Sequence, residues 1–354
     1  MTNLPPEVLA RTTVYNTETE WLADRHAFIG ASEIAGITGH SHWKDATPFQ
    51  SWLRKTGQEE EMDPDRRNNL NRGNRAERAI LGEYADAHLD LLVEPMRLIC
   101  VSHPVYPRIR CTPDGLLYHI ERDTPEELVG GGHILGGSLD LHAGVDAKFM
   151  EVYSRQFFGD PGTDDMPTDY VIQGLISCEC LDVPYWDFAV WFGRNSYEEY
   201  RVERNTETAE TLITQALSFY EDHVVADVAP AIDGAESTTR FLSRTFGRVE
   251  PIVAKATSEA LECRDMREAA AARLKAAKED VDLYSNRLRA ICGNAEGIEG
   301  VCSWKKNKDS EKVDWKAAFQ ETFGKLPDHI LDEIVKANTT LKEGSRVLRI
   351  SKGK

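Results

Sequence analysis

The chain has no apolar run long enough for a membrane: nowhere in its 354 residues does an uninterrupted stretch approach the roughly 20 residues of a spanning helix. Its opening, MTNLPPEVLARTTVYNTETEW, lacks the basic and apolar regions of a secretory signal, so a cytoplasmic protein with no membrane contact is expected. Cysteine is sparse and scattered. The seven, at 100, 111, 178, 180, 263, 292 and 302, form no CxxC pair and have no companion His spacing. That pattern speaks against structural zinc, an iron–sulfur cluster and a disulfide framework, and for reduced, mostly buried thiols. Positive charge is also short: 42 Lys+Arg against 59 Asp+Glu leave a net charge of -17, which excludes a basic, histone-like coat for nucleic acid. What is present is ordinary for a globular protein, 41% hydrophobic and 8% aromatic, so disorder is not expected. The length suits one large domain with an appendage, or two domains.

Local patterns place strands at 97–101, 108–112, 116–120, 139–149 and 185–192, and helices at 47–55, 74–88, 168–181 and around 206–226. The polar run 58–74 predicts a loop, and the Gly-rich 128–137 a hairpin tip or surface insertion. This mixture predicts an α/β core over 1–230, a connector over 231–252 and a C-terminal extension over 253–354. The extension opens on a long amphipathic helix to Cys292, with Leu274, Val281, Tyr284, Leu288 and Ile291 on its stripe. The stripe suits either packing on its own domain or a coiled-coil seam. Beyond it, 297–308 and 346–351 suggest strands, and 314–323 and 327–337 helices. Residues 301–354 carry 12 Lys+Arg against 8 Asp+Glu, a basic end to an acidic chain that suits either phosphate contact or a solvated surface.

Three patterns carry chemistry. On the helix 74–88, Glu77 shares a face with Ile80, Leu81, Tyr84 and His88, so a carboxylate lies in the apolar stripe and needs a partner or a metal. Asp114 sits in CTPDGLL, which alone is a hairpin-turn signal. In GVDAKF, Asp146 and Lys148 point to one face of a strand while Val145, Ala147 and Phe149 point to the other. Each has a plain structural reading. Together they supply hard oxygen ligands for Mg²⁺, which needs few carboxylates, and an amine to offset charge on a phosphate: equipment for metal-assisted phosphodiester hydrolysis.

The ordered set resembles the PD-(D/E)XK nuclease superfamily, and within it the YqaJ-like phage exonucleases related to the lambda exonuclease. The resemblance covers roughly residues 20–195. It rests on RHAFIGASEIAGITG at 25–39, on Pro48, Trp52, Lys55 and Gly57, on Gly73 with Glu77, on TPDG at 112–115, on Asp146-Ala147-Lys148, and on Tyr170 with Gln173. It implies a central mixed sheet flanked by helices, with the C-terminal part a helical and small-strand extension. By resemblance Asp114, Asp146 and the main-chain carbonyl of Ala147 bind metal, Glu77 completes the site or orients a water, Lys148 is the catalytic lysine and Gln173 positions substrate or water. Arg25 and Ser32 match the pair that holds a 5′-phosphate. Asp146 stands where many relatives have Glu, and the stretch between Gly115 and Asp146 is longer than in relatives.

The expectation is a Mg²⁺-dependent enzyme, with Mn²⁺ a substitute, in a bacterial host cell. It degrades one strand of double-stranded DNA from a 5′ end and leaves a 3′ overhang for a single-strand annealing protein; a trimeric homo-oligomer is implied by resemblance alone. Two competing readings are an endonuclease or nickase of the same fold and a non-catalytic DNA-end-binding scaffold.

Overall fold

The computed structural model describes residues 3–59, 64–119, 140–193, 196–248, 251–306 and 328–337. The chain divides into two compact units, Met1–Thr245 and Phe246–Lys354. In the first, α1 (Pro6–Leu9), β1 (Thr12–Val14), α2 (Glu18–Asp24) and β2 (Ile29–Gly30) lead to a 3-10 turn at Ala31–Glu33. Helices α3 (Ile34–Ile37), α4 (Pro48–Lys55) and α5 (Pro64–Ala87) follow, then strands β3 (Leu91–Pro95), β4 (Ile99–Ser102), β5 (Ile109–Cys111), β6 (Gly115–His119) and β7 (Leu141–Met150). A 3-10 stretch at Val152–Phe157 leads to α6 (Thr168–Leu181), β8 (Tyr185–Phe192), β9 (Ser196–Glu203), α7 (Thr206–Phe219) and α8 (Glu236–Thr245).

Two mixed sheets result. The larger runs β3-β6-β7-β8-β9, with β7 and β8 parallel and the other pairs antiparallel. The smaller runs β1-β4-β5-β2, with only β2 and β5 parallel. The parallel β7–β8 pair requires a crossover, and α6 supplies it. Helices cover both faces of the large sheet, the architecture expected. On one face Ile80, Leu81 and Tyr84 of α5 pack with Leu117, Val145, Ala147 and Ala189. On the other, Ile172, Leu175 and Ile176 of α6 meet Phe188, Val190, Tyr200 and Val202. This division follows from the alternation along β7, which sends Val145 and Ala147 to α5 and leaves Asp146 and Lys148 for α6.

Gly144 is what lets β8 carry Trp186 opposite β7. The two residues are cross-strand partners, Trp186 is fully buried, and a Cβ on Gly144 would fall 2.3 Å from its Cζ3. Gly144→Ala is therefore expected to destabilise by about 1–3 kcal/mol or more, as overpacking does, which a urea denaturation curve measures.

Two expectations need correction, and one strand is additional to those expected. The run 58–74 is not all loop: α5 begins at Pro64, and Pro is favoured in the first turn of a helix, where no amide partner is needed. Its polar residues hid the helix because they give no apolar period. The connector 231–252 contains α8, which is anchored by Phe241 against Phe49 (centroids 5.7 Å) and by Gln50 Nε2 donating to Thr238 Oγ1 at 3.3 Å. Strand β9 follows the expected 185–192 strand directly, with polar residues at alternate positions.

In the second unit, α9 (Ser258–Cys292) is capped by Thr257, whose hydroxyl accepts the Ala260 N–H at 3.1 Å. Its stripe stands open: Leu274, Val281, Tyr284 and Ile291 are exposed, and packing on its own unit is not what the described residues show. A two-stranded hairpin of β10 (Gly297–Ile298) and β11 (Cys302–Ser303) follows, then α10 (Asp328–Ala337). The expected features at 128–137, 314–323 and 346–351 lie outside the described residues. Among the described residues no helix is long and apolar enough to cross a membrane. All seven cysteines are free, five of them buried.

Candidate active site

The site lies where β6 and β7 stop pairing. The register ends at Gly115 opposite Val145, and the next inward-facing amide of β7, Ala147 N–H, donates to Asp114 Oδ2 at 3.0 Å. The Asp114 side chain thus continues the ladder where the strand leaves off. In a strand the N–H and C=O of one residue share an edge, so the Ala147 carbonyl faces the same side as Asp114. The Asp-Gly signal is consequently more than a turn, because β6 starts at Gly115 and holds Asp114 at its mouth.

From the other face of β7, Asp146 is fully buried and Lys148 is one-fifth exposed; Lys148 Nζ donates to Asp146 Oδ2 at 3.1 Å. Gln173, from α6, donates its amide N–H to the same oxygen. Tyr170 and Phe188 flank the ammonium, their ring centroids 5.6 and 5.7 Å from Nζ. Glu77 reaches the cluster from α5, half-buried, close enough for its charge to act on Asp114. Five side chains and one carbonyl named from sequence therefore converge, from α5, the turn before β6, β7 and α6.

The electrostatics show a deficit of positive charge. Burial and then the charge of Asp146 push the Asp114 carboxyl up to about 8. Burial also raises Glu77, with Lys148 opposing and Asp146 adding to the rise. Burial alone would lower Lys148, but Asp146 and Asp114 outweigh it and hold it protonated. Lys148 and, at Glu77, Arg97 oppose three acids, and among the described residues Asp146 Oδ1 is buried without a hydrogen-bond partner. An orphaned, buried carboxylate oxygen is costly unless a cation takes it. The donors are all hard oxygens, which suits Mg²⁺, a cation that keeps several waters and needs only one or two carboxylates. Among the described residues no three His, Cys, Asp or Glu side chains are gathered so as to hold a metal ion by themselves; a partly hydrated Mg²⁺ would rely on fewer carboxylates, the Ala147 carbonyl and waters.

Arg25 and Ser32 lie in a second cluster. Ser32 is exposed in the middle of the Ala31–Glu33 turn. Arg25 Nε is 3.6 Å from Glu33 Oε1, and its guanidinium stacks on Trp21 at 5.0 Å. Glu33 is the residue that sequence reasoning missed. It is buried, accepts the Gly30 N–H at 2.8 Å, and pairs with Lys55 at 2.7 Å and with Arg54 at 3.6 Å. Lys55 Nζ also donates to the Arg25 and Phe28 carbonyls at 2.7 and 2.5 Å. Glu33 thereby ties the turn carrying Ser32 to two guanidinium groups. The available signal was a lone acid inside an otherwise apolar segment, AlaSerGluIleAla. The 3-10 turn packs on α6, the helix of Gln173.

Residues 20–178 match the sequence profile of the YqaJ-like viral recombinase domain. Over 262 residues the chain is 26% identical to the uncharacterized protein YqaJ of Bacillus subtilis (strain 168), covering 71% of this chain and 70% of that protein. Among solved structures, the alkaline exonuclease (LHK-Exo) from Laribacter hongkongensis superposes with a TM-score of 0.42 at 16% identity, over 65% of this chain and 98% of that one. The same figures hold for LHK-Exo in complex with dAMP. The residues that match this domain's profile, 20–178, contain every candidate site residue.

Proposed function

We propose that this protein is a Mg²⁺-dependent deoxyribonuclease of recombination that degrades one strand of duplex DNA from a 5′-phosphorylated end, leaving a 3′ single strand for an annealing protein. The observation that carries the reading is the convergence of Asp114, Asp146, Lys148 and Gln173 around a buried, unpartnered carboxylate oxygen. The recombinase family supports the setting.

Asp114, Asp146, Glu77 and the Ala147 carbonyl would hold the metal; Mg²⁺ supplies Lewis-acid activation of the phosphodiester and of water. Gln173 fixes the rotamer of Asp146 through its amide. Lys148, kept protonated, lies where it can offset negative charge developing on the phosphoryl oxygens, and its rigid placement between Tyr170 and Phe188 avoids reorganisation during the reaction. Arg25 and Ser32 would take the terminal phosphate, the guanidinium offering a fork that matches its oxygens. Glu33 approaches this guanidinium at Nε, 3.6 Å away.

The test compares 5′-phosphorylated linear duplex, 5′-hydroxyl duplex and closed circular DNA, each with Mg²⁺ or EDTA. Mg²⁺-dependent release of nucleotides from linear ends is expected, faster from phosphorylated ones. Cleavage of closed circles would replace the exonuclease with an endonuclease of the same fold. End binding without hydrolysis would leave a scaffold. For Arg25→Ala, the preference for phosphorylated over hydroxyl ends is expected to fall to about one; a variant that keeps the wild-type preference removes Arg25 from the phosphate site.

A further inference from the structure

Beside the carboxylate cluster the structure gathers three aromatic rings that hydrolysis does not use. His42 meets Trp43 edge to face with centroids 4.9 Å apart, and Phe157 at 4.8 Å; Trp43 and Phe157 are 6.4 Å apart. His42 and Phe157 are exposed and Trp43 half-buried, so the rings are not core. Each pair makes a T-shaped or edge contact, a geometry that does not cover both faces of a ring.

Two separate tethers place this cluster next to the site. Asp169, buried in the first turn of α6, accepts hydrogen bonds from Ser41 Oγ at 2.6 Å and from the His42 N–H at 2.8 Å. The Trp43 N–H donates to Ser41 Oγ at 3.0 Å, so the whole 41–43 loop is clamped to the helix that carries Gln173 one turn later. Phe157 ends the 3-10 stretch that follows β7, the strand of Asp146 and Lys148. Its neighbour Phe158 is buried and stacks on Tyr170 at 6.1 Å, and Tyr170 in turn flanks Lys148. Packed rings therefore lead from Lys148 through Tyr170 to Phe158, the chain neighbour of Phe157. Exposed Lys44 directly follows Trp43.

A buried carboxylate making two charge-assisted hydrogen bonds is a strong device for fixing a loop. Here it fixes a loop that shows aromatic residues and a lysine to solvent. Aromatic faces with an adjacent cation are the chemistry that holds single-stranded nucleic acid without sequence preference, because every base has a π face and every nucleotide a phosphate. An enzyme that releases nucleotides from a duplex end must handle bases that have lost their pairing partners. We propose that His42, Trp43 and Phe157 form a stacking platform for unpaired nucleobases beside the scissile phosphodiester, with Lys44 offsetting a neighbouring phosphate. This rests on the hydrolytic reading of the same site.

The test uses the full chain in EDTA, so that binding is read apart from hydrolysis. Fluorescence anisotropy compares duplex ends bearing a short thymidine overhang with ends bearing an abasic overhang of equal length. Wild type is expected to favour the bases on the order of tenfold, in keeping with about 1–3 kcal/mol per stacked base. In His42→Ala/Trp43→Ala/Phe157→Ala that ratio is expected to fall to about one, while Trp43→Phe, which keeps a ring, retains most of it. Should the triple variant keep the wild-type ratio, or lose both overhangs equally, the platform is wrong. A wild type that hydrolyses duplex ends yet shows no base preference overturns the platform alone. One that neither binds nor hydrolyses DNA overturns the nuclease reading with it.

Discussion

Lys148→Ala is expected to lower turnover on linear duplex by roughly 100- to 1000-fold, the scale seen when one preorganised electrostatic donor is removed from an active site. Among the described residues its ammonium is the positive side chain in contact with Asp146, at 3.1 Å, and it lies beside the Tyr170 and Phe188 rings. Truncation removes charge opposite the phosphate and also leaves Asp146 and Asp114 with less compensation. KM is expected to change far less than kcat, because the interaction strengthens as charge develops. Lys148→Arg keeps the charge but not the point geometry, so it is expected to recover only a fraction. Wild-type turnover in Lys148→Ala would show that the chemistry occurs elsewhere.

The largest effect on stability is expected at Glu33→Gln, which has no part in the chemistry. Burial alone would raise this carboxyl, but Arg25, Lys55 and Arg54 outweigh it and hold it down at about 2. Burial pushes Lys55 down and Glu33 opposes that, with Arg25 and Arg54 adding to the fall. Glutamine keeps the shape but leaves the Lys55 ammonium buried without its counter-charge, a loss of about 3–5 kcal/mol for breaking such a pair. A fall in Tm on the order of 10 °C should be seen by calorimetry. Glu33→Gln/Lys55→Met, which removes both charges, is expected to recover much of it. The pH dependence has a definite sign. Because the folded-state pKa is depressed, the contribution of Glu33 is present above about 4.5, the ordinary value, and is lost as the pH falls from there toward 2. A Glu33→Gln protein melting with wild type would remove the charge pair from the stability of this unit.

The two predictions fall on opposite sides of what the amino-acid order could reveal. Asp146 and Lys148 are two residues apart on one strand, and period-two alternation places both on one face. Glu77 is visible for a similar reason, since helical periodicity shows it to be out of place among Ile80, Leu81 and Tyr84. Local periodicity thus reports any group whose orientation its own element determines. The pairing of Glu33 with Lys55 escapes because the two lie 22 positions apart on different elements, so neither element's periodicity shows that they meet. The same holds for Asp187, which receives the Tyr84 hydroxyl at 2.5 Å and two Arg201 hydrogen bonds at 2.7 and 2.8 Å from three different elements. The first ten residues of α5 escape the sequence because a polar first half has no apolar rhythm, and α8 escapes because its anchors, Phe49 and Gln50, lie on α4. Turn and tertiary partners, not propensity, determine such pieces.

The way β6 gives out at Gly115 has one more consequence, for hydrogen exchange. The Ala147 amide proton is shielded by a carboxylate, whereas those of Asp146 and Lys148, on the opposite edge of the strand, are shielded by β8. Three successive amides then open by two different motions: the outer two when the sheet parts, the middle one when a single side chain rotates. Strand β7 carries its own internal clock for the swing of Asp114, legible proton by proton against neighbours that keep the time of the fold.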